Sequence, residues 1–399
     1  MTMVTIEDIR DAARKIAPFI HKTPLIHSDS FSNYTGTDVY LKTENLQKTG
    51  SFKVRGAFNR IIDVDEENVI AASMGNHAQA VAYAASRLGK RSKIIMPVSA
   101  PIVKVKATKG YGAEVVLHGE RFKDALDHAL SHEEHIFIHA FDDEKIIAGQ
   151  GTVGLEIVED IKNVDAVLVP VGGGGLISGI AIALKAISPE TEIIGIQAEA
   201  ATSAYNSFIN KRIMEVPPSS TIADGIAIGR IGERTFEIMS KYVNDLVTVK
   251  EDSIAVAINM FLERKKLVVE GAGAVTLAAL IENMSRFRGK RVVLVVSGGN
   301  VDFTVIDRII YKGLIKSGRI SEFDVLLEDS PGSLQKLTTI IASHKGNILN
   351  IRHDRLSQDL PMSTTRVHCT VEIQGREHLH DLMKDLASQG LDVKKRIYD

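Results

Sequence analysis

An amine and a run of glycines are the residues in this chain best suited to chemistry. In TGSFKVRGA (residues 49–57), Lys53 stands between an aromatic and a β-branched residue at what reads as the entry to a helix. An ordinary helical lysine lies on a solvated face, so position alone gives Lys53 no role. It becomes a covalent handle only if other segments hold a group that an amine can capture. DAVLVPVGGGGLISGIAIALKAI (165–187) is the strongest such segment: Gly172, Gly173, Gly174 and Gly175 stand in a row between a buried strand and a helix. Backbone N–H groups in such a loop can approach a phosphate closely, and the helix N-terminus adds a favourable field. Four glycines also carry an entropy cost that packing alone seldom requires.

Two phosphate ligands compete at this point. A dinucleotide fold uses glycines plus an acid after the next strand, and Glu199 follows EIIGIQA at about the right place. The glycines Gly173, Gly175 and Gly179 nevertheless give GxGxxxG in place of GxGxxG. The other ligand is a monophosphate carrying an aldehyde, pyridoxal phosphate, which needs a lysine for a Schiff base; Lys53 is then the candidate. AASMGNHAQ (71–79) joins another strand to a helix N-terminus and suits a carboxylate such as that of an amino acid, although Ser and Asn there also read as an ordinary cap. The loop Ser297-Gly298-Gly299-Asn300 ends the strand RVVLVVS, where side chains face a ligand crevice. His128 and His132, one helical turn apart with His135 and His139 following, have the residue type of a metal site, but HEEH is not the HExxH signature and the surrounding segment is polar and acidic. No metal is expected.

The elements that must position these groups belong to a globular chain. Its 399 residues are 44% hydrophobic and 25% charged, with a net charge of −2, which gives no electrostatic reason to expect nucleic acid or an anionic membrane as partner. Small molecules are the expected ligands. The single Cys369 excludes an internal disulfide and most thiolate metal sites and fits a reducing compartment. MTMVTIEDIRDAARKI lacks the apolar centre of a signal peptide and no apolar run reaches spanning length, so a cytoplasmic protein is expected.

Thr5 and Asp8 have capping-box spacing ahead of a helix that places Ile6, Ile9, Ala13 and Ile16 on one face. Buried strands are read at 39–42, 68–73, 93–98, 113–119, 165–171, 192–198 and 291–297, and helices such as 77–89 and 176–187 lie between many of them. That alternation predicts an open α/β fold with largely parallel sheets, whose ligands bind beyond the carboxyl ends of the strands. After about residue 318 the pattern becomes FDVLLE, LQKLTTIIASH, NILNIRHDRLS, TTRVHCTVEIQ, REHLHDLMKDLASQ and LDVKKRIY, the ferredoxin-like order βαββαβ. The boundary is placed in KSGRISE, giving units 1–320 and 321–399, with a smaller subdomain of about 40–150 inside the first.

Taken in order, KTENLQKTGSFKVRGAFN, AASMGNHAQ, AGQGTVGLEI, VPVGGGGLISG, TIADGIA, EGAGA and SGGN resemble the fold-type II pyridoxal-phosphate enzymes (tryptophan synthase beta-like), most of all the threonine dehydratases, or threonine ammonia-lyases. The C-terminal unit resembles an ACT domain, a small amino-acid-sensing module. The resemblance implies that Lys53 is the Schiff-base lysine and that Asn76 bonds the ring hydroxyl. It further implies that Gly172 to Gly175 and the Leu176 amide hold the phosphate, and that Ser297 faces the pyridine nitrogen. Ser73, Asn76 and His77, with neighbouring amides, would receive the substrate carboxylate.

The activity so implied is dehydration and deamination of L-threonine to 2-oxobutanoate and ammonia, with L-serine giving pyruvate. The serine racemases share most of these motifs, but they place a serine acid/base where this chain has Met74. Metal-dependent relatives carry an acid near Gln197, where this chain has an amide, with Ala201 and Ser203 beyond it; Glu199 keeps a cation open at that strand end. A purely sensory protein would have no use for Lys53. The family expectation for assembly is a homodimer or homotetramer. For the ACT-like unit it is an amino-acid effector, isoleucine or valine in a biosynthetic role, held by Asp329, Gly332 and Asn347.

Overall fold

In the computed structural model, which describes residues 4–395, the capping box at the start of the chain is closed in both directions. Thr5 Oγ1 accepts from the Asp8 N–H, and the Asp8 carboxylate accepts from the Thr5 N–H at 2.8 Å. The helix Ile6–Ile16 that follows buries Ile9, Ala12 and Ile16; Ala12, and not Ala13, completes the inward face. The chain forms two compact units, one through Asp302 and the other from Phe303.

Among the described residues ten strands build the first unit: β1 (Leu25–His27), β2 (Asp38–Thr43), β3 (Asn68–Ala72), β4 (Arg91–Met96), β5 (Glu114–Leu117), β6 (Ile136–Phe137), β7 (Ala166–Pro170), β8 (Glu192–Ala198), β9 (Asp245–Val249) and β10 (Arg291–Val296). They form two sheets. The larger runs β1-β2-β10-β7-β8-β9 and is parallel except at β1–β2; the smaller runs β5-β4-β3-β6 and is parallel throughout. β7 and β10 are apolar at nearly every position because helices cover both faces of the sheet, the condition under which parallel strands lose their polar alternation. β1 and β6, at three and two residues, are too short to leave a sequence signal.

The chain enters the smaller sheet through the helix Lys53–Ile62 and leaves it through the helix Glu144–Asp160, and these two helices pack together. Their contact is close: a Cβ on Gly149 would lie 2.6 Å from the Arg55 carbonyl oxygen. Behind the contact lies a buried network of two cations and two carboxylates. Arg55 Nε and Nη2 donate to the Glu44 carboxylate, each at 2.8 Å, while Nη1 and Nη2 reach Glu156 at 2.6 and 2.9 Å. Lys42 Nζ completes it, 2.5 Å from Glu156 Oε2 and 2.6 Å from the Thr23 carbonyl oxygen. The guanidinium fork suits such bidentate pairing.

The second unit contains β11 (Ile320–Glu328), β12 (Asn347–Asp354), β13 (Thr364–Glu372) and β14 (Asp392–Lys395), in the antiparallel order β12-β13-β11-β14. The rest of LDVKKRIY, from 396 on, lies outside the described residues. β13 alternates half-buried and buried residues, and its inward set, Val367, Cys369 and Val371, packs with Phe323, Val325, Leu337 and Leu382 from β11 and two helices. Burial pushes the Cys369 thiol up to about 12, which leaves it inert. The helix Phe303–Lys316 clusters with this unit, and its Tyr311 hydroxyl donates to Glu322 at 2.5 Å.

Candidate active site

Because β2, β10 and β7 are parallel neighbours, their carboxyl ends open on the same edge, and Ser297 and Gly172 follow directly on the ends of adjacent strands. The segment before Lys53 is tied to this edge. Ser51 makes an antiparallel bridge to Gly298, the Phe52 N–H donates to the Ser297 carbonyl at 3.1 Å, and the Gly299 N–H donates to the Gly50 carbonyl at 2.9 Å. Lys53 is therefore delivered as the first residue of its helix, and its Nζ donates to the Ala140 carbonyl at 2.9 Å. Burial disfavours the charged amine and brings its pKa from 10.5 to about 8, against the pull of the Glu270 carboxylate.

Phe141, the residue after Ala140, meets the glycine run. A Cβ on Gly173 would lie 2.3 Å from the Phe141 ring, and one on Gly175 would lie 2.6 Å from Gln150 Oε1. Gly174, at φ +93°, turns the chain into the helix Gly175–Ile187. Thr235 Oγ1 donates to the Gly173 carbonyl at 2.7 Å, which commits that carbonyl to a hydroxyl. Leu176 is buried in the core, so its side chain serves packing and only its amide is available to a ligand. His139 holds the 139–142 turn, its Nδ1 accepting from the N–H groups of Phe141 and Asp142 at 3.2 and 2.8 Å. The sequence marked His139 only as one of a row of histidines, and it did not mark Phe141.

The loop after β3 supplies the third wall. Ser73 Oγ accepts from the Gly75 N–H at 3.2 Å, and the helix Asn76–Arg87 begins without a side-chain cap, which leaves its first N–H groups for an anion. His77 is buried, and its Nε2–H donates to the Ile138 carbonyl at 2.9 Å; burial next to Lys53 lowers its pKa to about 3. The neutral ring thus keeps only an acceptor at Nδ1, so its contribution to a carboxylate is confined to the main-chain N–H. Asn76 is held at both ends: Nδ2 donates to Glu270 Oε1 at 2.7 Å, and Oδ1 accepts from Asn300 Nδ2 at 2.9 Å. Glu270 and Asn300 lie inside EGAGA and SGGN, where small residues mark a close approach without naming the polar partner.

The remaining candidates stand apart from this cluster. Gln197 donates to the Val171 carbonyl at 3.1 Å and accepts from the Tyr205 N–H at 2.8 Å, so both ends of its amide are engaged by the main chain. The His118 and His128 rings stack at 3.9 Å and His132 Nδ1 donates to the His128 carbonyl at 2.9 Å, an arrangement that does not converge on a point. Among the described residues no group of acids, histidines and cysteine has the geometry to hold a metal, and no helix is long and apolar enough to cross a membrane.

In the second unit, Asp329 follows β11 beside Ser363 and Arg355, whereas Asn347 pairs with Glu372 at the level of Ile320. Eight residues of strand separate the two, about 26 Å. Asp329 and Gly332 share one turn, but they do not meet Asn347 around a single amino acid within one chain.

The first unit has the features that pyridoxal phosphate requires. Its glycine loop admits no Cβ at Gly173, a helix N-terminus follows it, and a half-buried amine sits beside it. In addition, Thr49 Oγ1 and Ser51 Oγ are buried polar atoms without a hydrogen-bond partner in the segment leading to Lys53. A family model described as pyridoxal-phosphate dependent enzyme matches residues 16–298, and one for the ACT domain matches 319–389. The chain is 44% identical to the L-threonine ammonia-lyase of Thermotoga maritima over 98% of its own length and 99% of the relative's. Among solved structures, threonine deaminase isoform 2 of Solanum lycopersicum is 35% identical with a TM-score of 0.74, covering 76% of this chain and 87% of that one. Maize serine racemase is 34% identical with a TM-score of 0.73, covering 79% and 99%. The first matched stretch begins within the opening helix and runs through Lys53, the glycine loop and Ser297, and the chain therefore belongs to the pyridoxal-phosphate-dependent enzymes and carries an ACT domain in its second unit.

Proposed function

We propose that the chain eliminates water from L-threonine, releasing 2-oxobutanoate and ammonia, and acts in the same way on L-serine. The observation that carries this reading is the Lys53 amine, half-buried, with a pKa of about 8, and joined to the glycine loop through Ala140 and Phe141. Gly172 to Gly175 and the Leu176 amide would hold the cofactor phosphate, Asn76 would face the ring oxygen, and Ser297 the ring nitrogen. When bound, the cofactor supplies the electron sink that stabilises negative charge at the substrate Cα.

The chain's own residues do the rest. The N–H groups at the start of the helix Asn76–Arg87, with Ser73, bind the substrate carboxylate and so fix the Cα–H bond relative to Lys53. An amine with a pKa near 8 is uncharged often enough at neutral pH to take a proton from Cα, and it remains basic enough to hold it. Ser297, a neutral hydroxyl carrier buried at the end of β10, puts no negative charge beside the ring nitrogen, which favours loss of the β-hydroxyl over longer-lived carbanion chemistry. Met74 occupies the loop position at which the serine racemases carry a hydroxyl, and a thioether exchanges no protons.

The test is Lys53→Ala. The purified parent should be yellow and lose its colour with hydroxylamine, and it should form 2-oxobutanoate from L-threonine. The variant should fold, lack the covalent chromophore, and turn over at least about a thousandfold more slowly, as expected on removing an activated nucleophile. Turnover within tenfold of the parent would end the assignment.

A further inference from the structure

Glu270 is buried among the groups that would surround the cofactor, yet nothing above gives it a task. The polarity of its contacts does. Asn300 Nδ2 lies 2.7 Å from the Thr49 carbonyl oxygen and 2.9 Å from Asn76 Oδ1. A carbonyl oxygen only accepts, so the Asn300 end facing Thr49 must be its NH2 group, and both hydrogens of that group are then spent. Asn76 can answer Asn300 only with its oxygen, which turns the Asn76 NH2 toward Glu270 Oε1 at 2.7 Å. In its ionised form the carboxylate ends the series as a pure acceptor. From Thr49 to Glu270 every bond has a single permitted direction, and one N–H of Asn76 is left over.

We infer that Glu270 is a positioning residue: its carboxylate locks the Asn76 side-chain amide so that the remaining N–H, and not the oxygen, is presented to the cofactor ring. The inference rests on the proposed placement of Asn76 beside that ring. The main chain at Glu270 is itself tied to the serine loop, its N–H donating to the Gly298 carbonyl at 3.1 Å, and a Cβ on Gly298 would stand 2.3 Å from Glu270 Oε1. One carboxylate thereby couples the loop carrying Ser297 to the loop carrying Asn76. A glutamine at 270 can turn either its oxygen or its NH2 group toward the Asn76 NH2, so the direction that the carboxylate imposes is lost.

The experiment compares four holoenzymes: parent, Glu270→Gln, Asn76→Ala and the double variant. Two readouts are used, the absorption maximum of the bound cofactor and the rate at which it leaves the protein on dilution, with thermal unfolding as the check on folding. Each single change should shift the band and speed cofactor loss about tenfold, the scale of one hydrogen bond to a charged group. The double variant should be no worse than Asn76→Ala alone, because Glu270 acts through Asn76. Additive effects in the double variant would overturn the inference and leave the placement of Asn76 standing. An Asn76→Ala protein with the parent's band and release rate would overturn both. If Glu270→Gln does not fold, Glu270→Asp, which keeps the charge but loses the reach, enters the same cycle with the same outcomes.

Discussion

The Gly173 α-carbon faces the ring of Phe141 so closely that a Cβ there would stand 2.3 Å from the ring atoms. No side chain fits such a gap without displacing the ring, and the ring is flanked by Ala140, whose carbonyl holds Lys53. Gly173→Ala should therefore act on the phosphate loop and on the lysine together. Overpacking of this kind typically costs about 1–3 kcal/mol, or roughly one to two powers of ten in cofactor affinity. Titration of cofactor into the apo-protein checks it, and an alanine variant with the parent's affinity would show that the loop yields freely.

Titration of Lys53 and Glu270 should be visible as two opposite slopes in the stability of the apo-protein. The Lys53 pKa is lowered by burial from 10.5 to about 8, so between these values the unfolded chain keeps a proton that the folded chain has released, and stability rises with pH. Burial together with the nearby Asp224 carboxylate raises Glu270 from 4.5 to about 7; there the folded chain holds the extra proton, and stability falls as pH climbs through that window. Because His77, lowered from 6.5 to about 3, adds a rise with pH that overlaps the Glu270 window, both trends are read as differences in urea midpoint between parent and variant from pH 4 to 11. Lys53→Met should remove only the alkaline rise and Glu270→Gln only the acidic fall.

Much of this site was legible because glycine, lysine and the strand pattern leave local signals. GGGG after an unbroken apolar strand reads as a phosphate loop, and AASMGNHAQ reads as a helix start from its own residues. What stayed hidden depends on partners far along the chain. His139 looks like one of a row of histidines until its Nδ1 is seen to accept two backbone N–H groups. His77 resembles a carboxylate ligand until Ile138 takes its ring N–H. Asp329 and Asn347 sit in turns that look equivalent in sequence, but parallel crossover of β11 and β12 sends them to opposite ends of the sheet. Strands β1 and β6 are set by pairing with β2 and β3, and two or three residues carry too little pattern to announce them.

Arg55, two residues after the lysine, should matter for stability more than for chemistry. Its guanidinium is fully buried against Glu44 and Glu156, and these acids hold its pKa above the ordinary value despite burial. Arg55→Met would leave two carboxylates to Lys42 alone, and removing one partner from a buried ionic network costs about 3–5 kcal/mol. Arg55→Lys should recover only part of it, since a lysine cannot make paired bonds to both acids. Denaturant unfolding measures the loss. A change below about 1 kcal/mol in Arg55→Met would mean that water reaches the network and solvates it.

The ACT domain should bind an amino acid through the turn at Asp329 and Gly332. Gly332 has φ +97° with open space around its missing Cβ, so its glycine answers to backbone conformation alone, and the helix Ser333–Ser343 begins there with no side-chain cap to fill its first N–H groups. Those groups suit a carboxylate, and Asp329, now paired with Arg355 Nε at 2.9 Å, can turn to an ammonium. Calorimetric titration of the full chain with isoleucine and valine should detect binding, and Gly332→Ala and Asp329→Ala should each weaken it. Coupling to catalysis of about 1–3 kcal/mol would alter the apparent affinity for threonine by several-fold to a hundredfold. Asn347→Ala separates two arrangements. Because Asn347 lies about 26 Å along the sheet from Asp329, a site within one chain predicts no change on its removal. A loss of binding as large as that of Asp329→Ala would instead mean that a second copy supplies Asn347, and the stoichiometry would then be fixed by the number of paired chains. If the full chain binds neither amino acid and its activity responds to neither, this turn is not an effector site.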